Sequence, residues 1–322
     1  MRPLLLTGLL LSSSLSAPAG AQSAPATGAA TLRLSAPVGT TVEQRMTSTT
    51  RLQVSDVTVT ARPGATVPQV QLDSLRRAFQ SGLSGQTTTV TGKSFTRLAA
   101  RDAQGRVTLQ HTLIQTIPGL PKALTTKITQ VLDASGTLKD IKLTSDNPDV
   151  NRAYAQMKLD DLLRAADSGG ADTRLYGLPL TPGKTREDRQ EVALDGLIGG
   201  LLSPILQDPE ADVDPATLTS TPLAVTGRLT FVGADAAGRL RFTQTGTFGA
   251  WQTSVKDRAG QPVFRMDVTG GAVDGESLLR PDGLPVSSSL RTRMQMRLLM
   301  TMDDVQVSAS MTQEQTLTLR QS

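Results

Sequence analysis

Residues 86–117, QTTTVTGKSFTRLAARDAQGRVTLQHTLIQTI, contain the pattern that decides the fold. After position 105, Val107, Leu109 and His111 alternate with threonine and glutamine, so successive side chains point to opposite sides of the chain. A period of two is typical of a strand with one buried and one exposed face, and threonine and valine favour such strands. The stretch therefore predicts two antiparallel strands joined by a tight turn at Asp102–Gly105.

The same alternation recurs along the chain, at 40–60, 86–98, 123–132, 222–232, 239–248, 262–269 and 287–302. Aspartate-x-x-glycine turns separate many of these segments and begin at Asp102, Asp133, Asp235 and Asp257, with a related turn at Pro281-Asp282-Gly283. An aspartate can cap a type I turn, and glycine then takes the left-handed position of a bulged hairpin. The predicted fold class is α+β and β-dominated: a strongly curved antiparallel meander of roughly 10–12 strands, forming a half-barrel or open barrel.

Three segments follow helical spacing instead, and two or three helices are expected to pack on the sheet. They are 68–83, the segment 147–168 that begins at Asn147-Pro148, and 194–206 with its leucine and isoleucine stripe. Asparagine followed by proline is typical of a helix start.

Residues 31–322 are expected to form a single large β-rich domain. Two similar strand entries, at Pro37-Val-Gly39-Thr40 and Pro182-Gly183-Lys-Thr185, suggest two loosely related halves, 31–146 and 175–322, joined by helix 147–168.

The N-terminus is typical of a secretory signal peptide, residues 1–21. Arg2 precedes an apolar run from Leu4 to Leu15, and Ala19-Gly20-Ala21 is a small-residue cleavage site. After cleavage near Ala21 we expect a short flexible tail, 22–30, and a soluble periplasmic or extracellular protein of the cell envelope. No segment is apolar for the 18 residues that would indicate a transmembrane span.

Composition excludes several function classes. The 322 residues include no cysteine, one histidine and nine aromatic residues, which excludes thiolate metal sites, cysteine nucleophiles and histidine-rich metal sites. The net charge of +4 comes from scattered basic residues and predicts a solvated surface; nucleic acid is not an expected partner. No cofactor is predicted.

No motif predicts catalysis. His111 lies on the apolar-leaning face of its strand, and no Gly-x-Ser-x-Gly nucleophile signature accompanies it, so we interpret it as a residue in or beside the core. Asp208–Asp214 begins like a calcium loop, but Val213 stands where glycine is wanted and Thr219 where glutamate is, which favours an acidic linker. A hydrolase using unrecognised carboxylates remains the enzymatic alternative.

The most distinctive feature is a methionine stripe between 290 and 302. Met294, Met296, Leu298, Met300 and Met302 fall on one face of a long predicted strand, and arginines occupy the other. Methionine is unbranched and polarizable, so it lines surfaces that accept ligands of variable shape and also fills irregular cores. The two interpretations are an apolar-ligand groove, with Leu197 and Leu201 of 194–206 in a lid over it, and an ordinary core face.

Two further segments carry a resemblance. Leu178-Pro179-Leu180-Thr181-Pro182-Gly183 before a mid-chain strand, and a late hairpin from Gly275 to Pro285, resemble exported bacterial half-barrel proteins. These are the lipoprotein-carrier and outer-membrane lipoprotein-receptor type and their secreted relatives. The resemblance implies a sheet wrapped around an apolar cavity that holds acyl chains.

The leading hypothesis is therefore a non-catalytic envelope protein that binds a lipid, an acyl chain or a lipidated polypeptide in the concave face of its sheet. The alternative is a structural or interaction module that binds an envelope protein or an anionic polymer and has no small-molecule ligand.

Overall fold

The alternating segments form one antiparallel sheet, which confirms the predicted fold class. The computed structural model describes residues 31–83, 85–118, 121–156, 175–192, 198, 213–302 and 304–322. In these residues the sheet has thirteen strands and is not closed. The strands are β1 (Thr41–Ala61), β2 (Gln86–Arg101), β3 (Val107–Thr116), β4 (Leu124–Leu132), β5 (Leu138–Ser145), β6 (Thr185–Val192), β7 (Asp214–Ser220), β8 (Leu223–Ala234), β9 (Leu240–Phe248), β10 (Trp251–Lys256), β11 (Pro262–Leu279), β12 (Pro285–Met302) and β13 (Val305–Gln321).

The chain enters the sheet in its middle. Strands β1 to β5 run outward to one edge; the chain then crosses to β6 at the other edge and returns through β8, β9, β11 and β12 to β13, which pairs with β1. Strands β7 and β10 pair with each other and continue the ladders of β8 and β9. The thirteen strands exceed the expected 10–12 because β7 with β8, and β10 with β9, are each counted as two strands where the chain interrupts the ladder.

The aspartate-x-x-glycine turns have the predicted conformation. Gly105, Gly136, Gly238 and Gly260 have φ values of 77°, 89°, 72° and 81°. In the first turn the Asp102 carboxylate accepts hydrogen bonds from the backbone N–H groups of Gln104 and Arg106, at 3.0 and 2.8 Å. These local bonds fix the hairpin joints independently of the rest of the fold.

Two helices lie in the described residues, α1 (Gln69–Leu83) and α2 (Pro148–Gln156). Leu72 of α1 is buried against Val59, Val305 and Val307 at one end of β1 and β13. The α2 helix begins as predicted, with the Asn147 side chain accepting a hydrogen bond from the Val150 N–H at 3.2 Å. Residues 157–168 of the predicted joining helix lie outside the described residues.

Two irregular segments fill the opposite end of the curved sheet, 31–36 and 175–180. Leu32 donates its N–H to the carbonyl of Leu178 at 2.9 Å, and the Tyr176 hydroxyl donates to the carbonyl of Gly283 at 2.9 Å. Leu32, Leu175 and Tyr176 are almost fully buried in one core cluster with residues of β2–β5 and of β8, β9 and β11. Both halves of the chain therefore share one core, and the segments of the half-barrel resemblance form part of it.

Glycines permit the tight curvature of the inward face. A Cβ atom on Gly246 would lie 2.8 Å from the carbonyl oxygen of Thr226, and one on Gly271 would lie 2.6 Å from that of Arg293. A Cβ on Gly92 would overlap the Ile114 carbonyl of the neighbouring strand still more closely. Side chains at these inward positions would push adjacent strands apart, so glycine is needed for the sheet to curl.

The curl also brings distant elements together. Arg62, just after β1, forms an ion pair with Asp257 in the turn between β10 and β11, although β13, β12 and β11 lie between them in the sheet. Four strand spacings amount to about 19 Å along the sheet. Because two side chains bridge this separation, the sheet bends strongly across these strands.

The two halves share local geometry, while their relationship as a repeat stays a prediction. Gly39 and Gly183 have φ values of 92° and 79°. Gly39 donates its N–H to the carbonyl of Leu98 on β2, and Gly183 donates its N–H to the carbonyl of Phe231 on β8. Asp102 and Asp235 make the same bonds to the arginine four residues later. Counting nine residues on from each aspartate, His111 and Gln244 occupy matching positions.

Candidate functional site

The inward side of β12 carries Met294 and Met296, which are 5% and 4% exposed. Met296 lies between Met311 on β13 and Val268 on β11 in the strand register. These residues belong to one group of buried side chains, which we call the methionine cluster. Its members are Met294, Met296, Met311, Leu223, Val225, Phe248, Trp251, Val268, Val273 and Ile198. The predicted stripe thus meets aromatic and aliphatic side chains from five other strands on the concave face.

The structure divides the predicted lining between two groups. Leu298 packs against the methionine cluster, whereas Met302 packs with α1 at the end of β13. Met300 is half-buried and pairs with Phe264 and Val307. Met294, Met296 and Leu298 are therefore brought together, and Met302 belongs to a separate cluster.

Ile198 contacts this cluster from the segment predicted to form a lid. Its side chain is 6% exposed and packs among the methionine cluster. Leu197 and Leu201, the predicted lid residues, lie outside the described residues. A described residue of 194–206 thus covers the face that the stripe was predicted to line.

Trp251 was not recognised from the sequence. It is 4% exposed within the methionine cluster, and its indole N–H donates to the Ser220 hydroxyl at 3.1 Å. Strand β10 has six residues, too short a segment to show clear alternation. The pairing of β10 with β11 places Trp251 opposite Val268 on the inward face.

Beside the methionine cluster the concave face is polar. Its buried polar residues, which we call the polar band, are Gln44, Ser48, Ser94, Thr96, Gln115, Thr126, Gln130, Gln244, Ser277, Thr292, Gln313 and Gln315. Most project from β1–β4 and β13, on the same side as the core residue Leu109. An interior face with this many amides and hydroxyls differs from the apolar inner face that a half-exposed sheet usually has.

Two amide ends in the polar band are unpaired. Gln315 donates its Nε2 to the Ser48 hydroxyl at 3.0 Å, but its Oε1 has no hydrogen-bond partner. The Nε2 of Gln244 also has none, although this residue is only 8% exposed. Leaving a buried donor or acceptor unpaired costs about 1–3 kcal/mol, so each such group in a native protein calls for a structural or functional explanation.

His111 points inward beside the polar band and hydrogen-bonds to two of its residues. Its Nε2–H donates to Gln130 Oε1 at 3.1 Å, and its Nδ1 accepts from the Thr96 hydroxyl at 3.0 Å. Burial lowers the pKa of His111 to about 4, against the bond to Gln130, which raises it. The ring is therefore neutral at pH 7.

The Thr96 hydroxyl and the His111 imidazole are not arranged as a catalytic nucleophile and its general base. Thr96 is 3% exposed, and the group that orients the imidazole is the neutral Gln130 amide rather than a carboxylate. An imidazole with a pKa of about 4 is a weak base for removing a hydroxyl proton at neutral pH. The interpretation of His111 as a residue beside the core agrees with its hydrogen bonds.

The predicted acidic segment is described only at its end. Asp214 begins β7, where its carboxylate accepts the Ala216 N–H at 3.0 Å, and 208–212 lie outside the described residues. Across the part of the chain that the structure describes, no group of three or more histidine, aspartate or glutamate side chains is placed to hold a metal ion. Among the described helices, none is long and apolar enough to cross a membrane.

Comparison with models of known protein families finds no match, and comparison with curated proteins finds no significant similarity.

Proposed function

We propose that this protein is a non-catalytic, exported envelope protein that binds an amphipathic acyl ligand against the concave face of its sheet. The ligand is a lipid or the acyl group of a lipidated polypeptide. The observation that carries the proposal is the adjacency of the methionine cluster to buried amides with unpaired ends. A wholly apolar core would lack the second feature, and a simple polar cleft would lack the first.

The methionine cluster supplies the surface for the acyl chain. Met294, Met296 and Met311 offer flexible side chains that can rearrange around chains of different length. Each methylene group transferred from water into such a site contributes about 0.8 kcal/mol. Because Met294 and Met296 are covered, the ligand enters by displacing what covers them, and Ile198 belongs to that cover.

The polar end of the ligand would lie at Gln244. On β9 the inward positions run from Gln244 through Gly246 to Phe248 of the methionine cluster, about 13 Å along the strand. Gly275 faces Gln244 across the ladder, so two glycines flank this amide. A carboxylate or ester carbonyl at that point would accept the unpaired Nε2–H, and its chain would run toward the methionines.

Trp251 makes the proposal directly testable because it is the only tryptophan and lies in the methionine cluster. The chain without residues 1–21 would be purified natively, extracted with organic solvent to identify any bound lipid, and titrated with fatty acids brominated along the chain. We expect saturable quenching of Trp251 fluorescence at one ligand per protein. Non-saturable quenching, or none, would contradict the proposal and favour a structural module without a ligand.

A matched pair of variants locates the site. Met296→Gln places a polar amide in the methionine cluster, and we expect its affinity for the brominated acid to fall tenfold or more, which corresponds to about 1.4 kcal/mol. Met46→Gln makes the same change at an equally buried methionine, 3% exposed, beside Gln115 in the polar band. Equal losses in the two variants would mean that the acid does not bind at the methionine cluster.

A further inference from the structure

The convex face of the sheet is strongly and unevenly charged. Strands β2, β1, β13 and β12 are neighbours in the middle of the sheet and carry nine basic and three acidic residues, a net charge of +6. The whole chain has a net charge of +4, so all other residues together carry −2. We call the outward side of these four strands the basic face. It carries eight of the nine basic residues, because Arg101 lies opposite the buried Val107 and donates to the carbonyl of Leu34.

Most cations of the basic face lack an ionic partner. Among the described residues, none of the following arginines forms an ion pair: Arg45, Arg51, Arg97, Arg297 and Arg320. Lys93 pairs with Glu43 at 2.7 Å, while Arg291 and Arg293 share the single carboxylate of Glu314 at 3.9 and 3.6 Å. The excess positive charge is therefore not neutralised by ion pairs among the described residues.

The strand register places like charges side by side. Arg45 is directly opposite Lys93 on β2 and Arg320 on β13, so three cations form one row across three strands. Cβ atoms of such pairs are about 5 Å apart, and like charges at this separation destabilise a sheet. An anion bound along the row would remove this repulsion.

Hydroxyl groups fill the next rows of the basic face. Thr47 lies opposite Thr91 and Thr318, and the row after it is formed by Thr49, Thr89 and Thr316. Hydroxyls donate hydrogen bonds to phosphate and carboxylate oxygens, and arginine binds the same groups in a bidentate manner. The face thus combines neutralising charge with neutral donors over several strands.

We propose that the basic face binds a flexible linear polyanion with closely spaced phosphate groups. Shape separates this partner from a bilayer: the ion pair between Arg62 and Asp257 shows that the sheet bends strongly from β1 to β10, so its outer side is convex. A flat bilayer touches a convex surface along a narrow line, whereas a flexible chain can follow the rows around it. This inference is independent of the acyl-ligand proposal, which concerns the opposite face.

The test uses the chain without residues 1–21 and fluorescently labelled long-chain inorganic polyphosphate. We expect binding whose logarithmic affinity falls linearly with the logarithm of salt concentration. Arg45→Thr/Arg320→Thr should weaken binding about tenfold. Threonine suits these exposed strand positions, and thermal unfolding would verify that the variant is folded.

The matched control is Arg228→Thr/Arg241→Thr, which removes the same charge from exposed positions on β8 and β9, outside the basic face. We expect less than a twofold effect. Equal losses in the two double variants would overturn the proposal, because binding would then follow net charge alone. Binding to vesicles of phosphatidylglycerol but not to polyphosphate would also overturn it, in favour of a membrane surface.

Discussion

Replacing His111 with glutamine should remove a specific part of the acid sensitivity of this protein. In the folded chain burial lowers the pKa of His111 to about 4, whereas in the unfolded chain it is about 6.5. Between these values the unfolded state binds a proton that the folded state does not, so the free energy of unfolding falls as the pH falls. Above pH 6.5 the His111 ring is neutral in both states, so its titration does not change the free energy of unfolding. Below pH 4 both states carry the proton.

The magnitude follows from the difference between the two pKa values. About 2.5 pH units at 1.36 kcal/mol each give an upper limit of about 3.4 kcal/mol for the free energy of unfolding that His111 removes in acid. Glutamine keeps both hydrogen bonds, because its amide can donate to Gln130 and accept from Thr96, and Gln244 occupies the matching position of the second half. We therefore expect His111→Gln to have nearly the wild-type stability at pH 7 and to be the more stable protein by about 2–3 kcal/mol at pH 4.

Urea unfolding at pH 7, 5.5 and 4, followed by Trp251 fluorescence and by far-UV circular dichroism, measures this difference. The carboxylates titrate in both proteins, so their contribution cancels when the two curves are subtracted. Parallel stability curves over the whole range would refute the argument, because they would mean that His111 is protonated equally easily in the folded and unfolded chains.

Two further predictions concern the curvature of the sheet. Arg62→Ala should lower the free energy of unfolding by about 3 kcal/mol, because it leaves the buried carboxylate of Asp257 without its cation. Adding Asp257→Asn should cost less than the sum of the single changes, and additivity in urea unfolding would show that the pair is not coupled. Gly92→Ala should cost at least about 2 kcal/mol, because its Cβ would overlap the Ile114 carbonyl. Gly82→Ala, where a Cβ meets nothing within 4 Å, should be neutral or stabilising by about 0.5 kcal/mol; similar thermal shifts in the two variants would contradict this account.

The elements predicted correctly from the sequence are those determined by neighbouring residues. The aspartate-x-x-glycine turns fold through bonds within five residues, and α1 has a regular apolar stripe. The start of strand β6 was predicted at Pro182–Thr185, but alternation could not define the rest of the strand, because charged side chains occupy both of its sides, as Arg186, Glu187 and Glu191 illustrate. Such charges suit an edge strand, where they discourage pairing with another chain.

The candidate site was predicted in part. The inward direction of Met294 and Met296 follows from alternation alone. Trp251 and Phe248 could not be assigned to the same cluster, because their strands meet β12 only through the intervening β11. Strand β13 was also missed, since Gln313 and Gln315 make its buried face appear polar.

The sequence by itself determined the class of the fold, the hairpin joints and the side of β12 on which the methionines lie, because these depend on contacts within a few residues. Only the tertiary structure decided that β1 pairs with β13, that the interior contains a polar band, and that the cations of four strands form one basic face. Each of these joins residues far apart in the chain. Alternation states which side of a strand is buried, but the curl of the whole sheet decides what that side meets.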